Sequence, residues 1–323
     1  MTTRRTFLLR SGMASAAALL ARAGLTEQQT SADPAVQPNP TLPDQLRAAA
    51  ADETIKTTKL TDTIFLLQGV GGNIVCQIGP DGKVIIDSGV ATGTRKLLDA
   101  LGKLDENRLK LLINTHWHMD HTDGNAVLHL QGGAFIIAQE NTRARLASPQ
   151  YLRVYDVHFP AAPEAALPQE TFADANTLWV NNDQLTLVHA PNAHTDSDIF
   201  IHFVKGNVIH AGDLWFNGMY PMIDLSSGGS IIGMISGVNA VLAKADDRTK
   251  IVPGHGALGN KAALAAYRTM LVTVANRVRD LKARGKTVNE AIAAKPTSDL
   301  DPAWAKMGPL KPDTFVALVY ESL

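Results

Sequence analysis

The sequence predicts an α+β fold in which two β-sheets pack face to face with helices on the outside. Three observations lead there. Short apolar runs bounded by Gly, Pro and Asp come in two batches, one starting near Thr54 and one near Gln184. Stretches with helical spacing follow each batch. The chain has 323 residues, 45% of them hydrophobic, which is enough for a sizeable core.

The N-terminal residues read as something other than this fold. "TRRTFLLR" is a twin-arginine stretch, "GMASAAALL" a short mild apolar run, and "ARA" a small-x-small cleavage pattern. Residues 1–23 therefore read as a bacterial twin-arginine export signal, handled by the twin-arginine export machinery, which places the mature protein in the periplasm or outside the cell. The apolar run is far shorter than the ~18 residues a spanning helix needs, so no stable membrane anchor is expected. Removing residues 1–23 leaves 26 basic and 31 acidic residues, a net charge of −5 in place of −1. This balance gives no footing to a nucleic-acid partner. Residues 24–50, polar and proline-rich, read as a flexible linker, and residues 51–323 as one domain.

Within that domain the elements follow in order. "TIFLLQ", "GNIVCQIG" and "KVIIDSG" read as consecutive strands, with "PDG" at 80–82 as a turn. Cys76, the one cysteine, falls in the second of them and reads as a buried strand residue, so an intramolecular disulfide is excluded. "TRKLLDALGKL" has apolar positions at 97, 98, 101 and 104 and reads as a helix. "LKLLINT" is a strand, "DGNAVLHLQ" a helix, "AFIIA" a strand and "QENTRARLA" a helix. Residues 148–176 read as irregular, with several aromatics that suit a wall or lid. Strands resume at "QLTLVHA", "DIFIHFV" and "NVIHAG". A glycine-rich turn at 228–229 leads to a helix through "IIGMISGVNAVLA", "TKIVPGHG" is a strand and loop, and 261–283 is a long helix before a last short one.

The densest chemistry lies in "NTHWHMDHTDGN", where three of the ten histidines fall between His116 and His121. On an extended segment His116 and His118 point the same way and can share an ion. Asp120 and His121 come where the chain turns into a helix, and point to a second position nearby. More ligands must come from elsewhere, and three candidates stand at ends of strand-like runs: His194 in "APNAHTDSD", Asp213 in "HAGDLWF" and His255 in "VPGHG". His210, three residues before Asp213, is a candidate for a supporting role. After Asp213, Trp215, Phe216 and Tyr220, with Met219 and Met222, form an apolar set that would either line a pocket or pack the core beneath it.

These motifs, together with "IIDSG" around Asp87, resemble the metallo-β-lactamase superfamily of metal-dependent hydrolases, in family order from about Thr54 to about His255. The resemblance implies an αββα sandwich with metal along one edge of the two sheets. It implies that His116, His118 and His194 hold a first metal, that Asp120, His121 and His255 hold a second, and that Asp213 bridges them. Asp87 is implied as a carboxylate bracing the histidine loop. Such an all-nitrogen and oxygen ligand set suits two zinc ions, with iron or manganese as alternatives. His118 stands where the flavin-linked di-iron branch has Glu, and Asp213 where one lactamase branch has Cys.

The expected activity is hydrolysis of a small-molecule acyl bond: a lactone, ester, amide (β-lactam included) or thioester. Two cations would hold a water acidified towards neutral pH, and Asp120 could orient it and shuttle its proton. Two other classes compete. One is an exported metal-binding or sensor protein without turnover; the other is the mononuclear-iron, sulfur-oxidising branch of the superfamily.

Overall fold

The computed structural model describes residues 41–323. The export signal expected at 1–23 and most of the expected linker lie outside the described residues. The end of that linker is not a tether. Leu42–Asp52 is a helix, opened by a capping box between Thr41 and Asp44, with Pro43 in its first turn and Leu42 and Ala50 buried. Arg47 anchors it by an ion pair of 2.8 Å to Asp123. The proline that suggested an irregular segment is one that a helix accepts at its start.

The first sheet has seven strands in the order β1 (Lys56–Lys59), β2 (Ile64–Gln68), β3 (Ile74–Gln77), β4 (Lys83–Ile86), β5 (Leu109–Ile113), β6 (Phe135–Gln139) and β9 (Glu170–Phe172). Strands β1 to β4 pair antiparallel, and β4, β5, β6 and β9 parallel. The second sheet runs β10 (Ala175–Val180), β11 (Asp183–His189), β12 (Ile199–Phe203), β13 (Val208–His210), β14 (Lys250–Val252) and β15 (Gly259–Asn260), with β13 and β14 parallel. A separate hairpin pairs β7 (Gln150–Leu152) with β8 (Val157–Phe159).

The alternation along each strand dictates the layers. Ile64, Leu66, Val75, Val84, Ile86, Ile113 and Ile137 of the first sheet meet Leu185, Leu187, Ile199, Ile201, Phe203 and Val208 of the second. Their neighbours Leu67, Cys76, Ile85, Leu112 and Ile136 face the other way, onto Leu97, Leu101 and Leu128 of helices Thr94–Leu104 and Asn125–Leu130. The outer face of the second sheet is covered by helices Ile231–Lys244, Lys261–Ala283 and Pro312–Ser322. This is the αββα sandwich. Cys76 is fully buried, and burial pushes its thiol up to about 12.

Two edge strands depart from the sequence reading. β1 is "KTTK", almost wholly exposed, and β10 carries outward-facing Ala175, Thr177 and Trp179. Neither has the apolar run that marks a strand buried on both faces. The stretch 148–176, expected to be irregular, contains the β7–β8 hairpin and β9, strands of only three residues each.

Candidate metal centre

Loops at the ends of β4, β5, β11, β13 and β14 meet along one edge of the sandwich. Main-chain bonds join them across the sheets. Ile199 N–H donates to Thr115 O at 2.8 Å, Asn73 N–H to Gly254 O at 2.8 Å, and Gly254 N–H to Gly212 O at 2.7 Å.

At the end of β4, Asp87 is fully buried and sits at φ 66°, a left-handed conformation that Asp tolerates better than most residues. Its carboxylate accepts from Thr115 N–H at 2.7 Å, from Thr115 Oγ1 at 2.8 Å and from His121 Nδ1 at 2.7 Å. Beyond β5 the chain bends at residues 115–117 and does not stay extended as the sequence suggested, yet it still brings the rings of His116 and His118 within 4.8 Å of each other. Helical turn Met119–Thr122 then presents Asp120 and His121.

The ligating atoms of His116, His118, His194 and Asp213 fall in one group, and those of Asp120, His121 and His255 in another; within each, all lie within 4.8 Å of one another. Asp213 spans them. Its Oδ2 is 3.3 Å from His194 Nε2 and 3.5 Å from His255 Nε2, and its Oδ1 is 3.3 Å from His121 Nε2. All seven residues singled out in the sequence are therefore brought together.

The outer nitrogens decide which lone pairs face inward. His121 Nδ1 is held by Asp87. His194 Nδ1 lies 2.7 Å from the Met222 carbonyl and donates to it. Thr115 Oγ1 gives its proton to Asp87, so at 3.0 Å it accepts from His116 Nδ1. His118 Nε2 lies 3.2 Å from Asp224 Oδ2. Each inner nitrogen is thus left with a lone pair. His194 Nε2 and His118 Nδ1 stand 2.8 Å apart with no proton between them, and His116 Nε2 and Asp213 Oδ1 are buried with no hydrogen-bond partner. Converging lone pairs and orphaned buried atoms fit a cation, and the nitrogen and oxygen donors fit zinc, iron or manganese.

The electrostatics divide the two groups: against the effect of burial, Asp120 and Asp213 hold His121 well above its ordinary value and raise His255 to about 9, so a metal there would have to displace their protons. Burial, helped by the charge of His121, holds His116 well below its ordinary value. Burial also takes His194 to about 4, despite the attraction of Asp213. Both are neutral near pH 7, as metal ligation requires. Burial alone would raise Asp120 and Asp213, but the surrounding imidazoles outweigh it and keep both carboxylates well below the usual range.

Two glycines are forced by this crowding. A Cβ on Gly72 would lie 2.6 Å from His121 Nε2, and one on Gly254 1.9 Å from Asp213 Oδ1. His210 is buried, with Nε2 2.8 Å from the Asn73 carbonyl and Nδ1 accepting from Gly212 N–H at 3.1 Å. Both its nitrogens are used, and it props the turn that carries Asp213.

The apolar set after Asp213 divides. Phe216 stacks on His255 with centroids 5.3 Å apart and lies 5.6 Å from His194. Trp215 and Tyr220 do not line the site. Trp215 is fully buried in the core under the helices, and Tyr220 stacks on Phe315 at 4.7 Å and bonds Asp301. Arg153, the residue that follows β7, is ion-paired with Glu321.

Sequence reasoning missed Asp224. Besides His118 it receives Ser226 N–H at 3.0 Å and Ser227 N–H at 3.2 Å, and Ser227 Oγ bonds it while accepting Trp117 Nε1–H at 3.0 Å. The signal was "DLSSGG", an Asp followed by turn-forming residues whose backbone it caps.

A family model described as the metallo-beta-lactamase superfamily matches residues 68–255. A probable metallo-hydrolase of Methanocaldococcus jannaschii is 25% identical over 209 residues, covering 62% of this chain and 97% of that one. Among solved structures, a metallo-β-lactamase from Pontibacter korlensis superposes with a TM-score of 0.56 at 18% identity, covering 68% of this chain and 99% of that one. The inverting sec-alkylsulfatase Pisa1 from Pseudomonas sp. superposes with a TM-score of 0.64 at 17% identity, covering 86% of this chain and 52% of that one.

Proposed function

The chain belongs to the metallo-β-lactamase superfamily and is a metal-dependent hydrolase, and from that premise we propose that it is a dinuclear zinc enzyme acting on a small-molecule lactone, ester, amide (β-lactam included) or thioester. The observation that carries the dinuclear reading is Asp213, whose two carboxylate oxygens reach into both ligand groups. His116, His118 and His194 would hold one ion, Asp120, His121 and His255 the other, and Asp213 both. When bound, such a pair supplies Lewis acidity and lowers the pKa of a nearby water.

The chain's own residues do the rest. Asp120 is the most solvent-facing carboxylate of the cluster, with Oδ2 3.1 Å from His255 Nε2, so it can take a proton from water and pass it on. Phe216 and Trp117 flank the histidines and exclude bulk water from them, which strengthens every charge interaction inside. With the twin-arginine stretch, the reading is of an enzyme exported to the periplasm or beyond, acting on a small molecule and not on nucleic acid. No helix of the described residues is long and apolar enough to cross a membrane.

A sulfate ester is a second substrate class, favoured by one observation. The likeness to the sec-alkylsulfatase covers 86% of this chain, against 68% for the lactamase from Pontibacter korlensis.

The test is metal content of the purified protein, paired with turnover of a chromogenic cephalosporin, an aryl ester, a lactone and a secondary alkyl sulfate. About two zinc ions per chain with turnover of one of the first three supports the proposal. Sulfate ester turnover alone would move the substrate class. A single iron would favour the oxidative branch, and metal without any turnover a binding or sensor protein.

A further inference from the structure

Five histidines surround the centre, and four of them are held from behind by a hydrogen bond. His116, His118, His121 and His194 rest their outer nitrogens on Thr115, Asp224, Asp87 and the Met222 carbonyl. His255 is different. Its Nε2 faces the cluster, 3.1 Å from Asp120 Oδ2 and 3.5 Å from Asp213 Oδ2, while its Nδ1 makes no hydrogen bond to any described residue. Its side chain is 25% exposed, where the other four are at most 7%. The torsion that turns a histidine ring is broad and soft. No hydrogen bond from behind sets the orientation of this ring, and solvent lies on one side of it.

The backbone beneath the ring is fixed. Asn217 N–H donates to His255 O at 2.9 Å, Asn217 Nδ2 to Ala257 O at 2.7 Å and Asn73 Nδ2 to Gly256 O at 3.0 Å. Gly256 turns the chain at φ 100°, and a Cβ on it would lie 2.5 Å from Asn217 O. Phe216 and His255 form an isolated parallel bridge, which sets the two side chains abreast. Their rings stack with centroids 5.3 Å apart and planes 19° apart. Phe216 is itself buried in the core that holds Trp215 and Met219, so it is a fixed wall for the ring.

We propose that Phe216 is the positioning residue of His255: the stack does for that ring what hydrogen bonds do for the other four, and so governs how tightly the group of Asp120, His121 and His255 retains its ion, given the dinuclear reading on which this rests. Phe216 offers no ligand atom. It confines the ring to the orientation in which Nε2 points at Asp120 and Asp213, which lowers the ordering cost of ligation. His194 lies 5.6 Å from Phe216 with its plane tilted by 57°, and the Met222 carbonyl already holds it. The effect is therefore confined to one ligand group.

The experiment compares wild type, Phe216→Leu and Phe216→Tyr by chelator competition that resolves two zinc-binding steps, and by the histidine ring NMR signals of the metal-free proteins. His255→Gln identifies which step and which signals belong to His255. Leu keeps apolar bulk without a flat face, and Tyr keeps the face. In Phe216→Leu the His255 step should weaken about 3- to 10-fold, the worth of an aromatic pair, with the other step within about 2-fold of wild type. The His255 ring signals should broaden as the ring samples further orientations. In Phe216→Tyr the affinities and the signals should stay near wild type. Wild-type affinity at the His255 step in Phe216→Leu would overturn the inference alone. Equal weakening of both steps would also overturn it, by making Phe216 a packing residue only. So would a Tyr variant as weak as the Leu one, once its metal-free melting temperature shows that it folds. A wild type that binds a single ion would overturn the dinuclear reading and this inference with it.

Discussion

Replacing Asp87 with Asn removes one charge from beneath the metal centre without disturbing the backbone that carries it, because Asn tolerates the φ of 66° at least as well as Asp. The carboxylate accepts three hydrogen bonds, two of them on Oδ2, from Thr115 Oγ1 and His121 Nδ1. An amide offers one accepting oxygen. If that oxygen stays on Thr115 N–H, the NH₂ group faces His121 Nδ1–H donor to donor. His121 must then tilt away or move its proton to Nε2, where it blocks the inner lone pair. The NH₂ group would also donate to Thr115 Oγ1 and free that hydroxyl to donate to His116 Nδ1, which would turn the second tautomer as well. If the amide flips, Thr115 N–H loses its partner instead. A hydrogen bond to a charged group is worth about 1.5–3 kcal/mol, and a factor of ten in affinity about 1.4 kcal/mol. The expected loss is therefore roughly 10- to 100-fold in metal affinity, in line with other groups that hold metal-ligating histidines. The assay is competition of wild-type and Asp87→Asn protein against a calibrated chelator, with the melting temperature of both metal-free proteins as control. Wild-type metal affinity in a folded Asn variant would refute the claim that Asp87 sets the ring protons.

Three further outcomes follow from the same geometry. Asp224→Asn should weaken metal binding about 10-fold by facing His118 Nε2–H with an amide donor, while leaving the metal-free melting temperature nearly unchanged, since the remaining oxygen can still accept from the backbone of Ser226 and Ser227; chelator competition would expose an unchanged affinity. Gly254→Ala should abolish metal binding, because its Cβ would meet Asp213 Oδ1 at 1.9 Å and the Gly212 backbone at 2.8 Å, so elemental analysis finding a full metal complement would contradict the packing argument. Glu290 caps its helix by accepting Thr287 N–H at 2.9 Å; that bond, with Lys286, lowers its carboxyl to about 2. A depressed acid stabilises the fold above its ordinary pKa and loses that contribution as pH falls through the lowered one. The gap in melting temperature between wild type and Glu290→Gln should then be widest above about pH 5 and shrink towards pH 2; a gap independent of pH would count against the cap.

What the sequence reveals, and what it hides, follows from what each residue is asked to do. The strands read correctly are those buried on both faces, such as Ile74–Gln77 and Lys83–Ile86, because such burial demands an apolar run. The edge strands Lys56–Lys59 and Ala175–Val180 are exposed along much of their length, so pairing and not composition defines them. The helix at Leu42–Asp52 was hidden by prolines that signal a linker in one context and a helix start in another.

The site divides in the same way. Ligands are legible because only a few side chains can bind a metal, and because His116, His118, Asp120 and His121 are crowded into one loop. The residues that hold those ligands are not so restricted. Asp224 lies 106 positions from the histidine it orients, and the Met222 carbonyl that holds His194 could belong to any amino acid. Trp215 and Phe216 are adjacent and both apolar, yet one packs beneath helices and the other against His255, a distinction that exists only once the chain is folded. Ligand identity is thus written locally, whereas the orientation of those ligands is a property of the assembled loops.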